Sequence, residues 1–151
     1  MSNLAQLSED KLGPRAFAYV KPEIERSKHV VMLARTDRLL AAVQVIKSGG
    51  ENNLHSHPNQ DGFWMVLNGR ARFYGEGDVL LGSFGPMEGI LVPRGSRYWF
   101  ESEGEEILEL LQVQAYDVPM KDLKTAIANR VNLEPLKTAT TDFMLHEGRT
   151  S

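Results

Sequence analysis

The feature that most constrains the fold is a series of short apolar runs separated by glycine turns, between about residues 29 and 116. Ten of the thirteen glycines of the chain lie between Gly49 and Gly95. Runs such as HVVMLA, VLLGSF and GILVP are followed at once by turn residues. Many short strands with glycine turns between them predict a β-sandwich or β-barrel.

Two turns in this series are predicted to join neighbouring strands. The triplet Arg-Thr-Asp separates the run HVVMLA from the run RLLAAVQVI, which indicates a tight hairpin. Asn68 and Gly69 lie inside FWMVLNGRARFY, and Asn-Gly is a strong signal for a type I′ turn between two strands. We therefore expect a β-hairpin at each of these two places.

The segments on either side of the β region have different patterns. Residues 1–28 are predicted to form an N-terminal extension, with one short helix opening at Ser8. After Pro119, apolar residues recur at helical spacing and predict an amphipathic helix from about 119 to 130. These residues are Met120, Leu123, Ile127 and Val131. We expect one β domain at 29–116 and a tail at 117–151, whose last part is a loose arm.

Composition narrows the class of protein and its partners. The net charge is −3 and the pI is about 5.8, which argues against a nucleic-acid-binding surface and against a polybasic membrane surface. No apolar run is long enough to span a membrane, and the polar start of the chain is unlike a signal peptide, so we expect a cytoplasmic protein. The absence of cysteine excludes disulfides, thiolate metal ligands and a cysteine nucleophile.

His55 and His57 are the residues that most strongly suggest chemistry. Residues i and i+2 of a strand lie on the same face, so these two imidazoles point the same way. Inside a barrel, two imidazoles can bind a divalent metal together with a carboxylate or a further imidazole. The alternative is a metal-free pocket in which both rings are hydrogen-bonded. The histidine pair alone leaves both interpretations open, because a stable metal site needs about three protein ligands.

The β region resembles the cupin superfamily, whose members are β-barrels of the jelly-roll type. The first signature of that family places His-x-His between two glycines, as Gly49 and Gly69 do around the histidine pair here, with five residues between Gly49 and His55. The second signature contains Pro-x-Gly, which matches Pro93 and Gly95. The resemblance covers about residues 29–116 and implies an all-β fold, a double-stranded β-helix (jelly-roll) barrel. The residue pattern adds a short N-terminal extension and a C-terminal helix to this barrel.

Several positions of the two signatures carry other residues in this chain. The glutamate ligand of the family aligns with Gly62, and its third histidine aligns with Tyr98. Its terminal asparagine aligns with Ser102, and the glycine that opens the second signature aligns with Met87. The resemblance therefore implies a metal-ligand set that is incomplete at the aligned positions.

Three further residues are candidates to complete a site with the histidines. Asp61 lies at a spacing that the family also uses, with Gly62 as a bulge, although Asp61 also fits a solvated turn residue in PNQDG. Gln60 can supply a neutral oxygen. Tyr98 is expected to point inward, where it orients a substrate or moves a proton, and to ligate only if a metal lowers its pKa. The predicted metal ligands are His55, His57 and Asp61, and the predicted catalytic residues are Tyr98 and His57.

Aromatic and amide side chains are predicted to complete the pocket. Trp64 and Phe100 share the inward parity and form either an aromatic pocket wall or plain core. Gln112 and Gln114 alternate with apolar residues on the last strand. They are polar groups of the pocket if they point inward and solvent-facing residues, the commoner case, if they point outward. The predicted ligand-binding residues are Trp64, Phe100, Gln60 and Gln112. Outside this group, we expect His29 to be an exposed or capping residue and His146 to be unrelated to the site.

The resemblance implies a protein that binds a small molecule, and three functions remain open. The primary prediction is a metal-dependent enzyme of oxygenase, isomerase or lyase type, with Fe, Mn, Ni or Zn and a small organic or aromatic substrate. The second is a metal-free enzyme with a histidine base and Tyr98 as the acid. The third is a binding module without catalysis. We also expect a homodimer that covers exposed sheet edges, and no nucleic-acid or membrane partner.

Overall fold

The structure is a computed structural model of the chain, and it describes residues 13–51, 53–119, 130–133, 143–147 and 149–150. The helix predicted to open at Ser8, and nearly all of the helix predicted at 119–130, lie outside these residues. Within the described residues no helix has the length and apolar character of a membrane span.

The described residues form short strands and one 3₁₀ turn at Glu76–Asp78, which confirms the all-β prediction. The strands are β1 (Phe17–Ala18), β2 (Lys28–Arg35), β3 (Leu39–Ile46), β4 (His55–Ser56), β5 (Gln60–Asn68), β6 (Ala71–Tyr74), β7 (Leu80–Phe84), β8 (Gly89–Val92), β9 (Trp99–Ser102), β10 (Leu108–Tyr116), β11 (Val131–Asn132), β12 (Phe143–Glu147) and β13 (Arg149–Thr150).

Two sheets enclose the main core. One has six strands in the order β12-β2-β3-β10-β5-β8, and the other has three strands in the order β7-β6-β9. The pairing is antiparallel throughout these sheets except between β12 and β2. Strand β4 forms a separate short pair with β11, and an isolated bridge joins His55 of β4 to Tyr98, the residue before β9.

The core between the sheets is aromatic. The ring of Phe100 lies 5.1 Å from that of Trp64 and 4.9 Å from that of Phe73, measured between centroids, and all three side chains are fully buried. Such tilted and stacked pairs stabilise a core beyond the burial of their area. We predicted that Trp64 and Phe100 form either a ligand-binding pocket wall or plain core. In the structure their rings lie in the packed core.

The other face of the six-stranded sheet carries a second apolar cluster, built on Val31, Val43 and Val45. Tyr19 and Ile24 of the N-terminal extension pack against it. Strands covered on both sides have continuous apolar runs, which accounts for the sequence RLLAAVQVI. The extension is therefore part of the packed structure.

One of the two predicted hairpins is confirmed and the other is wrong. Strands β2 and β3 pair as expected, and the Thr36 backbone N–H donates to the Leu39 carbonyl at 2.8 Å. At Asn68-Gly69, however, the chain crosses from one sheet to the other, because β5 pairs with β10 and β8 while β6 pairs with β7 and β9. Gly69 has a φ of +80°, and a Cβ there would lie 2.7 Å from the carbonyl oxygen of Ile107. Glycine is thus required by the crossover and by this close approach rather than by a hairpin.

The C-terminal tail supplies strands, which corrects the prediction of a loose arm. Strand β12 extends the six-stranded sheet beside β2, and β13 pairs with β1 of the N-terminal extension. Strand β11 pairs with β4, which carries His55. The tail thus covers one edge each of β1, β2 and β4. Without β12, the six-stranded sheet would end at β2 with an unpaired edge.

We predicted that His29 is either exposed or a capping residue. The structure shows it buried and in a capping role. Its Nε2 accepts hydrogen bonds from the backbone N–H groups of Glu25 and Arg26, at 3.2 and 3.1 Å. Since Nε2 is an acceptor, the hydrogen of the neutral ring lies on Nδ1, which donates to Nε2 of His146 at 2.8 Å. This histidine pair links β12 to β2 and lies apart from the residues described below.

Met87 shows why the cupin signature has glycine at this position. Its φ is +68°, a left-handed conformation in which a side chain costs roughly 1–2 kcal/mol. The side chain is 74% exposed, so it stabilises little in return. We expect Met87→Gly to raise the free energy of unfolding by about 0.5–1 kcal/mol in urea titrations, after the entropy of glycine in the unfolded chain is subtracted. Met87→Ala keeps the Cβ and should give no gain; an equal gain from alanine would contradict this explanation.

Candidate metal centre

The candidate centre lies where β4 meets the start of β9. His55 and Tyr98 exchange two backbone hydrogen bonds, at 3.1 and 2.9 Å, and their rings lie 4.4 Å apart between centroids. Both side chains are buried. The predicted meeting of imidazole and phenol inside the barrel is therefore present in the structure.

The hydrogen-bond partners of His55 fix the state of its ring. Nδ1 lies 2.7 Å from the carbonyl oxygen of Asn53, so it must carry a hydrogen and donate it. In the neutral ring Nε2 then has only a lone pair, and it faces Oε2 of Glu51 at 3.3 Å. Among the described residues Nε2 has no hydrogen-bond partner, although it is buried. With a neutral ring, two electron-rich atoms face each other here, and a cation between them, either a proton on Nε2 or a metal ion, removes the repulsion.

Glu51, His55 and His57 form a group with the geometry of a metal site. One ligand atom of each lies within 4.8 Å of the other two. The two imidazole rings are nearly perpendicular, with centroids 5.0 Å apart. One carboxylate and two imidazoles form a donor set that suits a divalent first-row metal. The orphaned Nε2 and this donor set both fit the metal that the fold resemblance implies.

The two oxygens of Glu51 have different neighbours. Oε2 faces His55 and accepts a weak hydrogen bond from the Tyr98 hydroxyl at 3.4 Å, while Oε1 lies 3.9 Å from Nη1 of Arg130. Burial alone would raise the pKa of Glu51, but the contact with His55 and the charges of Lys28 and Arg130 outweigh it and hold that pKa well below its ordinary value. Glu51 is therefore a carboxylate, the form that binds a metal.

Arg130 and its neighbours support this arrangement from the C-terminal segment. The guanidinium donates to Oδ1 of Asn53 and, from Nε, to Oδ1 of Asn132 at 2.8 Å. Asn53 also donates to Asn132 at 3.0 Å. Since the carbonyl of Asn53 orients His55, this network positions both the imidazole and the carboxylate of the candidate centre.

Tyr98 is a neutral phenol in this environment. Burial, and next the negative charge of Glu51, raise its pKa well above the ordinary value. It therefore retains its proton and acts as a hydrogen-bond donor. A phenolate ligand, which was one of the options open in the sequence, is not the state that these neighbours favour.

Asp61 lies outside the group that contains the histidines. Its carboxylate accepts a hydrogen bond from the Arg94 backbone N–H at 2.9 Å and forms an ion pair with the guanidinium of the same residue at 3.5 Å. Its side chain is 43% exposed. The structure thus brings Glu51, and not Asp61, to the two histidines, because Asp61 is held at the turn by Arg94.

The predicted amide residues are split between two places. Gln60 donates to Oε1 of Gln114 at 2.6 Å, and both are buried. Gln112 accepts a hydrogen bond from Gln44 at 2.9 Å, away from the histidines. A narrow recess, with no room for a water-sized sphere, adjoins the centre. It is lined by His57, Gln60, Gly62, Val92, Pro93, Ser96, Tyr98 and Gln114.

Two residues of the centre were missed from the sequence. Glu51 lies four residues before His55, upstream of the histidine pair, whereas the cupin signature has its glutamate downstream. Glu51 is the only acidic residue between Gly49 and His55, and this is the one feature of the sequence that could have indicated it as a ligand. Arg130 had no such signal, because it is distant in the sequence and follows a predicted helix.

Comparison with known proteins supports the fold and leaves the activity open. No protein-family profile matches the chain, and no curated protein matches it. A protein from Klebsiella pneumoniae with a double-stranded β-helix domain is 19% identical, with a TM-score of 0.56 over 69% of this chain and 91% of its own. An RmlC-like cupin protein from Desulfovibrio desulfuricans is 17% identical, with a TM-score of 0.51 over 70% and 96%. Streptomyces PAC13, solved with uridine, is 10% identical, with a TM-score of 0.54 over 74% and 82%.

The sheet order and these structural likenesses define a double-stranded β-helix barrel. Cupin proteins have this fold, and the likeness to the two structures from Klebsiella and Desulfovibrio covers about 70% of the chain. At such low identities the likeness defines the fold alone, so the function must be inferred from the site.

Proposed function

We propose that this chain is a metal-dependent cupin that binds a small organic molecule and acts on it beside Glu51, His55 and His57. The observation that carries the proposal is the pair formed by Nε2 of His55 and Oε2 of Glu51. They lie 3.3 Å apart; the side chain of His55 is fully buried, that of Glu51 is 14% exposed, and the other ring nitrogen carries the hydrogen. A divalent metal bound by both atoms and by His57 removes the repulsion between them.

The donor set narrows the choice of metal. Two imidazoles and one carboxylate are typical of non-haem iron(II), and manganese, nickel and zinc accept the same ligands. Three protein ligands leave coordination positions open for a substrate. When bound, such a metal supplies a Lewis acid or an oxygen-activating centre.

The residues around the centre have distinct tasks in this proposal. Tyr98 is a protonated donor beside Glu51 and is suited to orient a substrate oxygen or to deliver a proton. Arg130 holds the outer oxygen of Glu51, so that the inner oxygen points to the histidines. His57 belongs both to the candidate ligand group and to the lining of the adjoining recess, so a substrate that widens this recess on binding would lie beside the centre.

The charges near Glu51 favour a second candidate, a metal-free enzyme. The positive charges of Lys28 and Arg130 both act on Glu51, so this carboxylate has cationic partners without a metal. In that case a proton lies between His55 and Glu51, and the resulting ion pair acts with Tyr98 in acid–base chemistry. The two candidates differ in one measurable quantity, the metal content.

We expect protein purified without chelator to contain close to one divalent metal per chain by elemental analysis. Removal of that metal should lower the melting temperature, because a ligand present at 100 times its Kd stabilises the native state by about 2.7 kcal/mol. Metal-loaded protein should then turn over members of a panel of small organic compounds that apo-protein leaves unchanged. A metal-free preparation that cannot be reloaded, and whose melting temperature is unaffected by chelator, would support the second candidate instead.

A further inference from the structure

A short segment from the C-terminal part of the chain, residues 130–133, lies against the loop and strand that carry the candidate metal centre. Its strand β11 pairs with β4, and Asn132 is directly opposite His55. The backbone N–H of Leu133 donates to the carbonyl of Leu54 at 2.9 Å. The backbone of one candidate ligand is thus paired with a segment from much further along the chain.

Asn53 is the residue at which this segment and the candidate centre meet. Its buried side chain accepts a hydrogen bond from Nη2 of Arg130 and donates one to Oδ1 of Asn132 at 3.0 Å. The backbone carbonyl of the same residue accepts the hydrogen bond from Nδ1 of His55 at 2.7 Å. One residue therefore contacts the segment with its side chain and orients a candidate ligand with its backbone.

Glu51 is a second connection between the segment and the centre. Its Oε1 lies 3.9 Å from Nη1 of Arg130, while its Oε2 faces Nε2 of His55 at 3.3 Å. The guanidinium of Arg130 also donates from Nε to Oδ1 of Asn132 at 2.8 Å, so the segment itself fixes its position. The imidazole and the carboxylate are therefore both oriented by contacts that exist only while the segment is in place.

The segment has little apolar anchorage. Val131 and Leu133, its two apolar side chains, are 44% and 38% exposed. Within the part of the chain that the structure describes, it is held mainly by backbone hydrogen bonds beside β4 and by the polar contacts of Arg130 and Asn132. A segment with few buried apolar contacts opens locally at a lower free-energy cost than the core. Its docking on β4 is therefore an equilibrium that a change at the centre can shift.

A metal at the candidate centre would shift this equilibrium, because it needs the arrangement that docking produces. Nε2 of His55 and Oε2 of Glu51 have to point to a common position, and the docked segment orients both groups. A ligand that binds one of two states more tightly favours that state by the ratio of its two affinities. The effect is reciprocal, so the factor that docking adds to metal affinity is also the factor that metal adds to docking.

We infer that the docking of residues 130–133 on β4 and metal binding at the candidate centre are coupled. Asn53, Arg130 and Asn132 are the positioning residues: through them the docked segment strengthens metal binding, and bound metal holds the segment in place. This inference rests on the proposed function, because it concerns the metal of that centre. The positive charge of Arg130 repels a cation, so neutral substitutions at Asn53 and Asn132 isolate the positioning effect.

Hydrogen exchange of single amides, followed by NMR with and without zinc, measures the coupling at the segment. Zinc accepts these ligands and is diamagnetic. The amide of Leu133 reports docking directly, because it is bonded to Leu54. We expect saturating zinc to slow its exchange about 10-fold, within the range of about 5–150-fold that is typical of coupled sites. The exposed amide of Thr36, bonded to Leu39 in the β2–β3 hairpin, is the reference and should exchange at an unchanged rate.

Asn132→Ala measures the coupling at the metal. The side chain is exposed and uncharged, so its truncation leaves the core and the net charge intact. We expect the variant to bind zinc about 10-fold more weakly in calorimetry, and zinc should no longer slow the exchange of Leu133. Asn53→Ala, which loses both side-chain contacts with the segment, should weaken zinc binding at least as much. Asn68→Ala is the matched control: it removes an exposed amide that donates to Ile107 at 2.9 Å and should leave zinc affinity as it is.

The outcomes separate this inference from the proposed function. Zinc that binds equally well to the unmodified protein and to Asn132→Ala, without any effect on the exchange of Leu133, would overturn the coupling and leave the metal centre standing. An unmodified protein that binds no divalent metal would overturn both.

Discussion

Replacing Glu51 by glutamine is expected to lower the affinity for a divalent metal by about 100-fold or more. The substitution keeps the shape of the side chain but removes the negative charge and one anionic ligand oxygen, while the two histidines stay in place. Loss of an outer-shell partner typically costs 10–100-fold, and loss of a direct ligand should reach or exceed the upper end of that range. Isothermal titration of apo-protein with manganese or zinc measures the change.

Asp61→Asn is the matched control for this experiment. It makes the same chemical change at the residue that the sequence indicated, and the structure holds Asp61 on Arg94 instead. We expect its metal affinity to equal that of the unmodified protein within about 3-fold. A large loss in Asp61→Asn together with a small loss in Glu51→Gln would mean that the ligand set is the one read from the sequence and that the loop bearing Glu51 is arranged differently.

Replacing Phe100 by alanine is expected to lower the free energy of unfolding by about 3–5 kcal/mol. The ring is fully buried and lies within about 5 Å of the rings of Trp64 and Phe73, so its removal opens a cavity between two sheets that cannot collapse onto each other. Chemical denaturation monitored by tryptophan fluorescence and by circular dichroism gives the value. The loss is a large fraction of the stability of a domain of this size.

Phe63→Ala is the control for that prediction. Phe63 lies on the same strand as Trp64, but its side chain faces away from the core and is 47% exposed. We expect a loss of less than about 1 kcal/mol. A similar, small loss for Phe100→Ala would indicate that Phe100 borders an open cavity, as a pocket wall would, and would restore the interpretation of Trp64 and Phe100 as ligand-binding residues.

The fold was predictable from the sequence because several weak signals agree. Short apolar runs, glycine turns and the two cupin signatures all indicate the same barrel, and the structure confirms it. The pairing of individual strands was less predictable. An Asn-Gly turn defines a change of chain direction, but the signal at Asn68 does not decide whether the next strand pairs with β5 or joins the facing sheet.

The tail illustrates a second limit of sequence reasoning. Strands β11 and β12 are short, and their positions depend on β4 and β2, which lie about 80 to 115 residues earlier in the chain. A strand of two to five residues has no periodicity of its own to detect. Pairing partners so far apart can be found only in the folded chain.

The candidate site was predictable in part for a similar reason. Side chains alternate between the two faces of a strand, so the sequence places His55 and His57 on one face. The position of Tyr98 in the second cupin signature predicts that its ring lies near the two imidazoles, and in the structure it does. Glu51 precedes the strand in a loop, where no period relates side-chain direction to sequence position. The third candidate ligand was therefore assigned to Asp61, which had the family spacing, instead of to the residue that the backbone brings close.

The residues that differ from the cupin signatures can be explained together. Position 62 is a glycine without a carboxylate, whereas the carboxylate of Glu51 lies beside the two histidines. Tyr98 replaces an imidazole by a neutral donor beside that carboxylate. Met87 retains the left-handed backbone of the glycine that it replaces. In the proposed function, the barrel is kept while Glu51 takes over the role of the anionic ligand.

The most direct test of the central claim is a crystal structure of the protein loaded with manganese, with an anomalous difference map calculated at a wavelength where manganese scatters. Metal–ligand distances of about 2.0–2.2 Å are expected for imidazole and carboxylate ligands. We predict one strong peak per chain, at bonding distance from Glu51, His55 and His57. A map with no peak there, and with Glu51 hydrogen-bonded to a protonated His55, would contradict the account and favour metal-free chemistry.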